Sequence, residues 1–311
     1  MEGYKGYLTD AGVWVGHAWD EAARTGCTAV LAPGEGAVVG CDVRGGAPGT
    51  RETDLARPGQ FVERANAVVL AGGSAYGLAA ASGVMNYLES KGIGLNTGFA
   101  RVPIVCGAVI YDLGVGSAKI RPDEAMGRMA AEAATLAECR QGLVGAGCGA
   151  TVGKLLGAEG SEPGGLGSAT VWLGGQVAVS ALMVVNALGD IVQENGRVLA
   201  GLQREGRHLG TVETMLAGIS AGGLLGRNTT IGVVATNAKL GKEGACRLAM
   251  SAHDGMAMAI HPVHTMADGD TTFALATGQS GLEMDLTVLC AAAAEAVRRA
   301  VVNAAIASNN L

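Results

Sequence analysis

The 311-residue chain is poor in aromatic side chains, which make up 4% of it, and it contains only 7 prolines. A core without large rings must be built from aliphatic and small residues, and the 51 glycines let backbones approach one another closely. Charged residues reach only 16% against 49% hydrophobic ones, which excludes a disordered chain. No basic cluster exceeds a pair such as Arg298-Arg299, and the formal charge is −6. This balance argues against nucleic acid or an anionic membrane as partner. No CxxC occurs among the seven cysteines (27, 41, 106, 139, 148, 246 and 290). Reduced thiols in a cytoplasmic protein are expected, with no disulfide framework. The opening Met1-Glu2-Gly3-Tyr4-Lys5 lacks the apolar region of a secretory signal. The most apolar stretch, 171–192, is interrupted by Gly174, Gly175, Gln176, Asn186 and Asp190, and reads as paired strands, not a membrane span.

What is present is a mixture of strands and helices. Residues 12–43 alternate short apolar runs with glycine turns, and a polar loop follows at 44–60. A strand beginning "NAVVLAGG" leads into a helix over 78–91, whose Leu78, Ala81, Val84, Met85 and Leu88 keep helical spacing. Further strands are expected at 102–113 and 271–278, and further helices at 121–138, 241–260 and 283–308. Residues 142–167 read as a glycine-dense loop and 201–227 as a surface linker, while Asn195-Gly196 marks a hairpin. Runs of strands with helices grouped between them predict a layered α+β fold with sheet packed on sheet.

Several familiar motifs fail. "GAGCGATVGKLL" has Cys148 where a phosphate loop needs glycine and Leu155 where it needs a hydroxyl. "GEGAVVG" has the wrong spacing for a dinucleotide fingerprint. "GGSAYG" is not a GxSxG elbow around Ser74. "HPVHTMADGD" places His261, His264, Asp268 and Asp270 within ten residues, which leaves a metal-dependent hydrolase as an alternative. Its bland reading is a turn, since Asp-Gly-Asp is turn chemistry.

"GRNTTIGVVATN" sets Thr229 at the mouth of a buried-strand pattern. A threonine there is commonly only a good strand former. Its hydroxyl becomes a nucleophile if a base lies within reach. A cut before Thr229 would create one on the same residue, an α-amine with a reference pKa of about 7.7–8.0.

"RNTTIGVVATNAKL" with "HTMADGDTTFALATG", together with "LAGGSAYGLAAASGVMNYLE", "VPIVCGAVIYDL" and "ALMVVNALGDI", resembles the DmpA-like family over nearly the whole length. That family comprises self-processing aminopeptidases and amidases, including L-aminopeptidase D-amidase/D-esterases, β-peptidyl aminopeptidases and the nylon-oligomer endo-hydrolase. The resemblance implies an αββα sandwich of the N-terminal-nucleophile-hydrolase type, shared with ornithine acetyltransferase, so an acyltransferase is a further alternative. It implies one hydrolase domain over 1–311, cleaved between Asn228 and Thr229 into chains 1–228 and 229–311. Thr229 would be the nucleophile, and Asp268 and Asp270 would orient it and its amine. Tyr111 and Asn186 would serve the oxyanion and the substrate amide, and Lys154 would lower the pKa of the amine. No cofactor or metal is implied. A small peptide or amide is the expected substrate, and a homo-oligomer of processed units the expected assembly. The chain departs from the family's serine enzymes in its Thr nucleophile and in an Asp, Asp pair where those carry Ser, Glu; this is the nylon-oligomer hydrolase pattern.

Overall fold

The computed structural model describes residues 3–219 and 227–311. Its framework strands are β1 (Trp14–Asp20), β2 (Thr25–Leu31), β3 (Ala37–Val43), β4 (Ala67–Ala71), β5 (Val105–Val109), β6 (Gly165–Leu173), β7 (Val177–Asn186), β8 (Thr229–Thr236) and β9 (Thr271–Ala276). The helices are α1 (Ala80–Ser90), α2 (Glu124–Glu132), α3 (Thr211–Leu216), α4 (Lys242–Ala257) and α5 (Leu286–Asn309). One sheet runs β1-β2-β4-β5 and ends on the short strand Thr50–Arg51. The other runs β6-β7-β8-β9-β3 and ends on Arg64–Ala65. Most neighbours are antiparallel, but β8 pairs in parallel with β9, and β4 with β5.

The layering follows from the period-2 alternation of the strands. Leu182 and Val184 of β7, Ile231, Val233 and Ala235 of β8, and Phe273 and Leu275 of β9 meet Val30, Val68, Leu70 and Ala108 of the opposite sheet. The residues between them, such as Val185, Val234 and Ala274, face outward onto α4 and α5. On the other side, Ala29, Val69 and Val105 meet Ala81, Val84 and Ala130 of α1 and α2. The result is an αββα sandwich with three apolar layers, as the sequence predicts. Glycine sets how close the layers come. At Gly40 a side chain would run into the α4 backbone at Ala245, and at Gly167 into α5 at Ala300.

The structure corrects three expectations. The helix expected over 121–138 ends at Glu132, because Thr135 leaves it to pair its backbone with Val15 of β1 at 2.9 and 3.1 Å. The expected loop 142–167 already carries the start of β6, where the glycines that suggested a loop serve close packing against α5. Within 201–227, Gln203–Arg204 pairs with Arg207–His208 and α3 follows. The remainder of that expected linker, 220–226, lies outside the described residues. Among the described residues no helix is long and apolar enough to cross a membrane.

Candidate active site

The site forms where the central strands of the second sheet begin and end. Thr229 opens β8 and stands opposite Asn186, the last residue of β7. Register decides where their side chains go: both share the face that carries Ile231 and Leu182, toward the opposite sheet. Just before β8, Asn228 bridges in parallel to Asp268, ahead of β9. The parallel pairing of β8 and β9 thus brings the Asp268-Gly269-Asp270 turn, some forty residues away in sequence, alongside the 228–229 peptide.

The 228–229 peptide is closely surrounded. The Thr229 hydroxyl donates to the Asn228 carbonyl oxygen, and the Gly269 N–H donates to the same oxygen at 3.0 Å. Asp270 accepts the Thr230 N–H on Oδ1 at 2.6 Å. Its Oδ2 accepts the backbone N–H of His264 at 3.1 Å and His264 Nδ1 at 2.7 Å. Asp268 accepts the Leu188 N–H at 3.3 Å and the Thr265 N–H at 3.0 Å, and the Thr265 hydroxyl also donates to it. Burial, and then the charge of Asp270, pushes the Asp268 carboxyl up to about 6.

Lys154 approaches from the loop after the Gly-rich segment. Its Nζ donates to the Asn186 carbonyl and to Asn186 Oδ1, each at 2.8 Å, and to the Arg227 carbonyl at 3.2 Å. The residue keeps partial exposure, yet its ammonium is enclosed by these three oxygens. Burial draws its pKa down to about 7 against the opposing pull of Asp268, Asp112 and Asp270. Asn186 is fully engaged at Oδ1, which also accepts the Thr151 N–H at 3.0 Å, and its Nδ2 donates to the Tyr111 carbonyl at 3.1 Å. Tyr111 therefore enters the network through its backbone. Together with Lys154, Thr151 and Arg227 it also lines a cavity of about 390 Å³.

All the residues singled out from the sequence except His261 meet here. His261 is exposed, pairs with Asp190 on the short strand Ile260–His261, and lines a different cavity. His264 is committed to Asp270 and Asp268 to Thr265, and among the described residues no cluster of three His, Cys, Asp or Glu side chains could hold a metal ion. The donor set of the metal alternative is thus split between two places. Sequence reasoning missed Gly269, whose contribution is a backbone N–H, and the carboxyl of Asp112. Asp112 accepts from Thr25 Oγ1 and the Gly73 N–H at 2.7 Å each, and burial raises its pKa.

A family model described as peptidase family S58 matches residues 7–311. The chain belongs to this family. It is 41% identical to an uncharacterized aminopeptidase of Mycobacterium leprae, over 98% of this chain and 91% of that protein. It is 34% identical to a 6-aminohexanoate-oligomer endohydrolase of Kocuria sp., over 94% of this chain and 84% of that enzyme. A β-aminopeptidase from a Burkholderia species superposes with a TM-score of 0.74 at 21% identity, over 99% of this chain and 88% of the other. An L-aminopeptidase D-Ala-esterase/amidase of Ochrobactrum anthropi, described as a variant of the Ntn-hydrolase fold, gives a TM-score of 0.72 at 21% identity with the same coverages. The S58 chain is therefore an amide-bond hydrolase on an N-terminal-nucleophile-hydrolase-like αββα sandwich.

Proposed function

We propose that this S58 chain is a self-processing amidohydrolase whose nucleophile is the hydroxyl of Thr229. The observation that carries the reading is the pairing of that hydroxyl with the Asn228 carbonyl, polarised by the Gly269 N–H at 3.0 Å. Oγ1 would add to the carbonyl carbon, with charge developing on the oxygen that Gly269 already contacts. Collapse breaks the C–N bond, the hydroxyl proton passes to the leaving nitrogen, and an ester links residue 228 to Thr229. Water hydrolyses the ester, leaving a carboxylate on Asn228 and a free α-amine beside a free hydroxyl on Thr229. That amine is the base for later turnovers, in which Oγ1 attacks the substrate amide and water resolves the acyl-Thr intermediate.

The neighbours have matching roles. Asp270 holds the backbone just beyond the nucleophile, and Asp268, whose backbone bridges to Asn228, would orient the new amine. Lys154, anchored by Asn186 and the Arg227 carbonyl, keeps positive charge close enough to hold the pKa of the amine down. Asn186 retains one amide hydrogen for an oxyanion or a substrate amide, and Tyr111 lines the cavity where substrate would lie. Gly114, Val115, Gly157 and Ala158 form the apolar part of that cavity's wall, which suits a slender acyl chain. Short peptides and oligomers of ω-amino acids are the substrate classes that the relatives' names support. The working form is a homo-oligomer of processed 1–228 and 229–311 units.

Intact-mass measurement on purified protein tests this. Fragments 1–228 and 229–311 are expected, the smaller beginning Thr-Thr-Ile-Gly, with Thr229→Ala giving one uncut chain. A wild-type chain that remains whole while hydrolysing amides would refute the mechanism.

A further inference from the structure

Behind Asp270 lies a pair of histidines that the mechanism above does not use. His264 precedes the Asp-Gly-Asp turn, and His253 comes from α4 in the outer layer. Their rings meet edge to face with centroids 4.7 Å apart. His264 holds a left-handed backbone at φ 56°, which a non-glycine residue keeps only where its surroundings over-determine it.

The hydrogen bonds bear on the proton positions. The 2.7 Å contact of Asp270 Oδ2 is a hydrogen bond from His264 when the ring proton sits on Nδ1. His253 Nε2 contacts the Asp42 carbonyl oxygen at 3.2 Å, which only accepts, so its proton sits on Nε2. The remaining nitrogens, His264 Nε2 and His253 Nδ1, are buried and have no hydrogen-bond partner among the described residues. Two bare imidazole nitrogens in one pocket cost free energy that a hydrophobic pair would not. Burial pushes His253 down to about 3, so this ring stays neutral and adds no charge next to His264.

We propose that His264 is a positioning residue for the reaction. Its Nδ1–H fixes the Asp270 carboxylate so that Oδ1 holds the Thr230 N–H, and His253 packs behind it to keep the ring in place. Through this chain α4 helps set the backbone that follows the nucleophile. The inference rests on the reading of Thr229 as nucleophile. It would explain why a polar pair occupies a place where the fold otherwise packs aliphatic side chains against α4.

The test uses the full-length chain and follows the rate of self-cleavage by denaturing electrophoresis for His264→Ala and His264→Asn, with Thr229→Ala alongside. Loss of one hydrogen bond to a charged group predicts cleavage slower by on the order of ten-fold in His264→Ala. Asparagine tolerates the left-handed backbone and can place an amide N–H where Nδ1–H was, so His264→Asn should return to within about three-fold of wild type. A His264→Ala chain that cleaves at the wild-type rate overturns the inference, as does a folded His264→Asn chain as slow as the alanine variant. If His264→Ala does not fold, a folded His264→Asn chain that cleaves about ten-fold more slowly than wild type overturns the inference, and one within about three-fold supports it. A wild-type chain that never cleaves, or a Thr229→Ala chain that still does, defeats instead the reading of Thr229 on which the inference rests.

Discussion

The two ends of β8 are buried alike and composed oppositely. From Ile231 to Ala235 the strand is apolar apart from Gly232, and its side chains fill the layers on either side of the sheet. At its start, Asn228, Thr229 and Thr230 sit beside Asp268 and Asp270, and none of the five is more than 4% exposed. Burial of apolar area stabilises a fold; burial of two carboxyls next to each other does not, since each needs several donors to offset lost solvation. Here the donors are supplied by Thr230, His264, Thr265 and Leu188, and still Asp268 stays raised to about 6. The apolar end accounts for the fold, and the polar end, which carries the proposed chemistry, is built at its expense.

Substitutions should separate the ends. Thr229→Ala should abolish cleavage and lower amide turnover by on the order of a thousand-fold or more, with little change in unfolding midpoint, as followed by mass spectrometry and denaturant titration. Phe273→Ala, in the core between the sheets, should do the reverse. It should cost about 3–5 kcal/mol in denaturant unfolding while the cleavage site stays at 228–229. Equal loss of stability from both would remove the distinction.

Lys154 sharpens the contrast through pH. Its folded pKa of about 7 lies below the ordinary 10.5, so between these values the unfolded chain binds more protons. Stability should therefore rise with pH across that window and fall as pH drops through 7. Lys154→Met should flatten this slope in urea titrations of the uncleaved Thr229→Ala background. Asp268 acts in a separate window: its folded pKa is raised from 3.8 to about 6, so its contribution declines as pH climbs between those values. The smallest effect is expected at Thr230. Its hydroxyl is buried without a hydrogen-bond partner among the described residues, so Thr230→Val should stay within about 0.5 kcal/mol of wild type or gain stability. A large loss there would mean that the hydroxyl has a role the contacts do not show.

Much of this was legible in the chain. The period-2 runs of β7, β8 and β9 and the helical spacing of α1 gave the layers, and the Thr229 and Asp-Gly-Asp segments marked the site. What escaped has a common cause. The extent of α2 was lost because Thr135 is claimed by β1, and the start of β6 because its glycines serve packing against α5. Gly269 escaped because it acts through a backbone N–H, which any residue but proline supplies. The metal alternative survived in the sequence because His261 and His264 are three residues apart, whereas the chain turns between them and sends His261 to Asp190.

The amino-acid order alone determined a layered α+β fold with sheet packed on sheet, through local periodicity, and the family, through short motifs that also single out Thr229 as the proposed nucleophile. Only the tertiary structure decided which groups surround that residue. The parallel pairing of β8 with β9 carries Asp268 and Asp270 alongside residues 228–230, and the ammonium of Lys154 bonds Asn186, the strand neighbour of Thr229. Contacts between residues so far apart in the chain are set by strand register and loop closure, which no local pattern encodes.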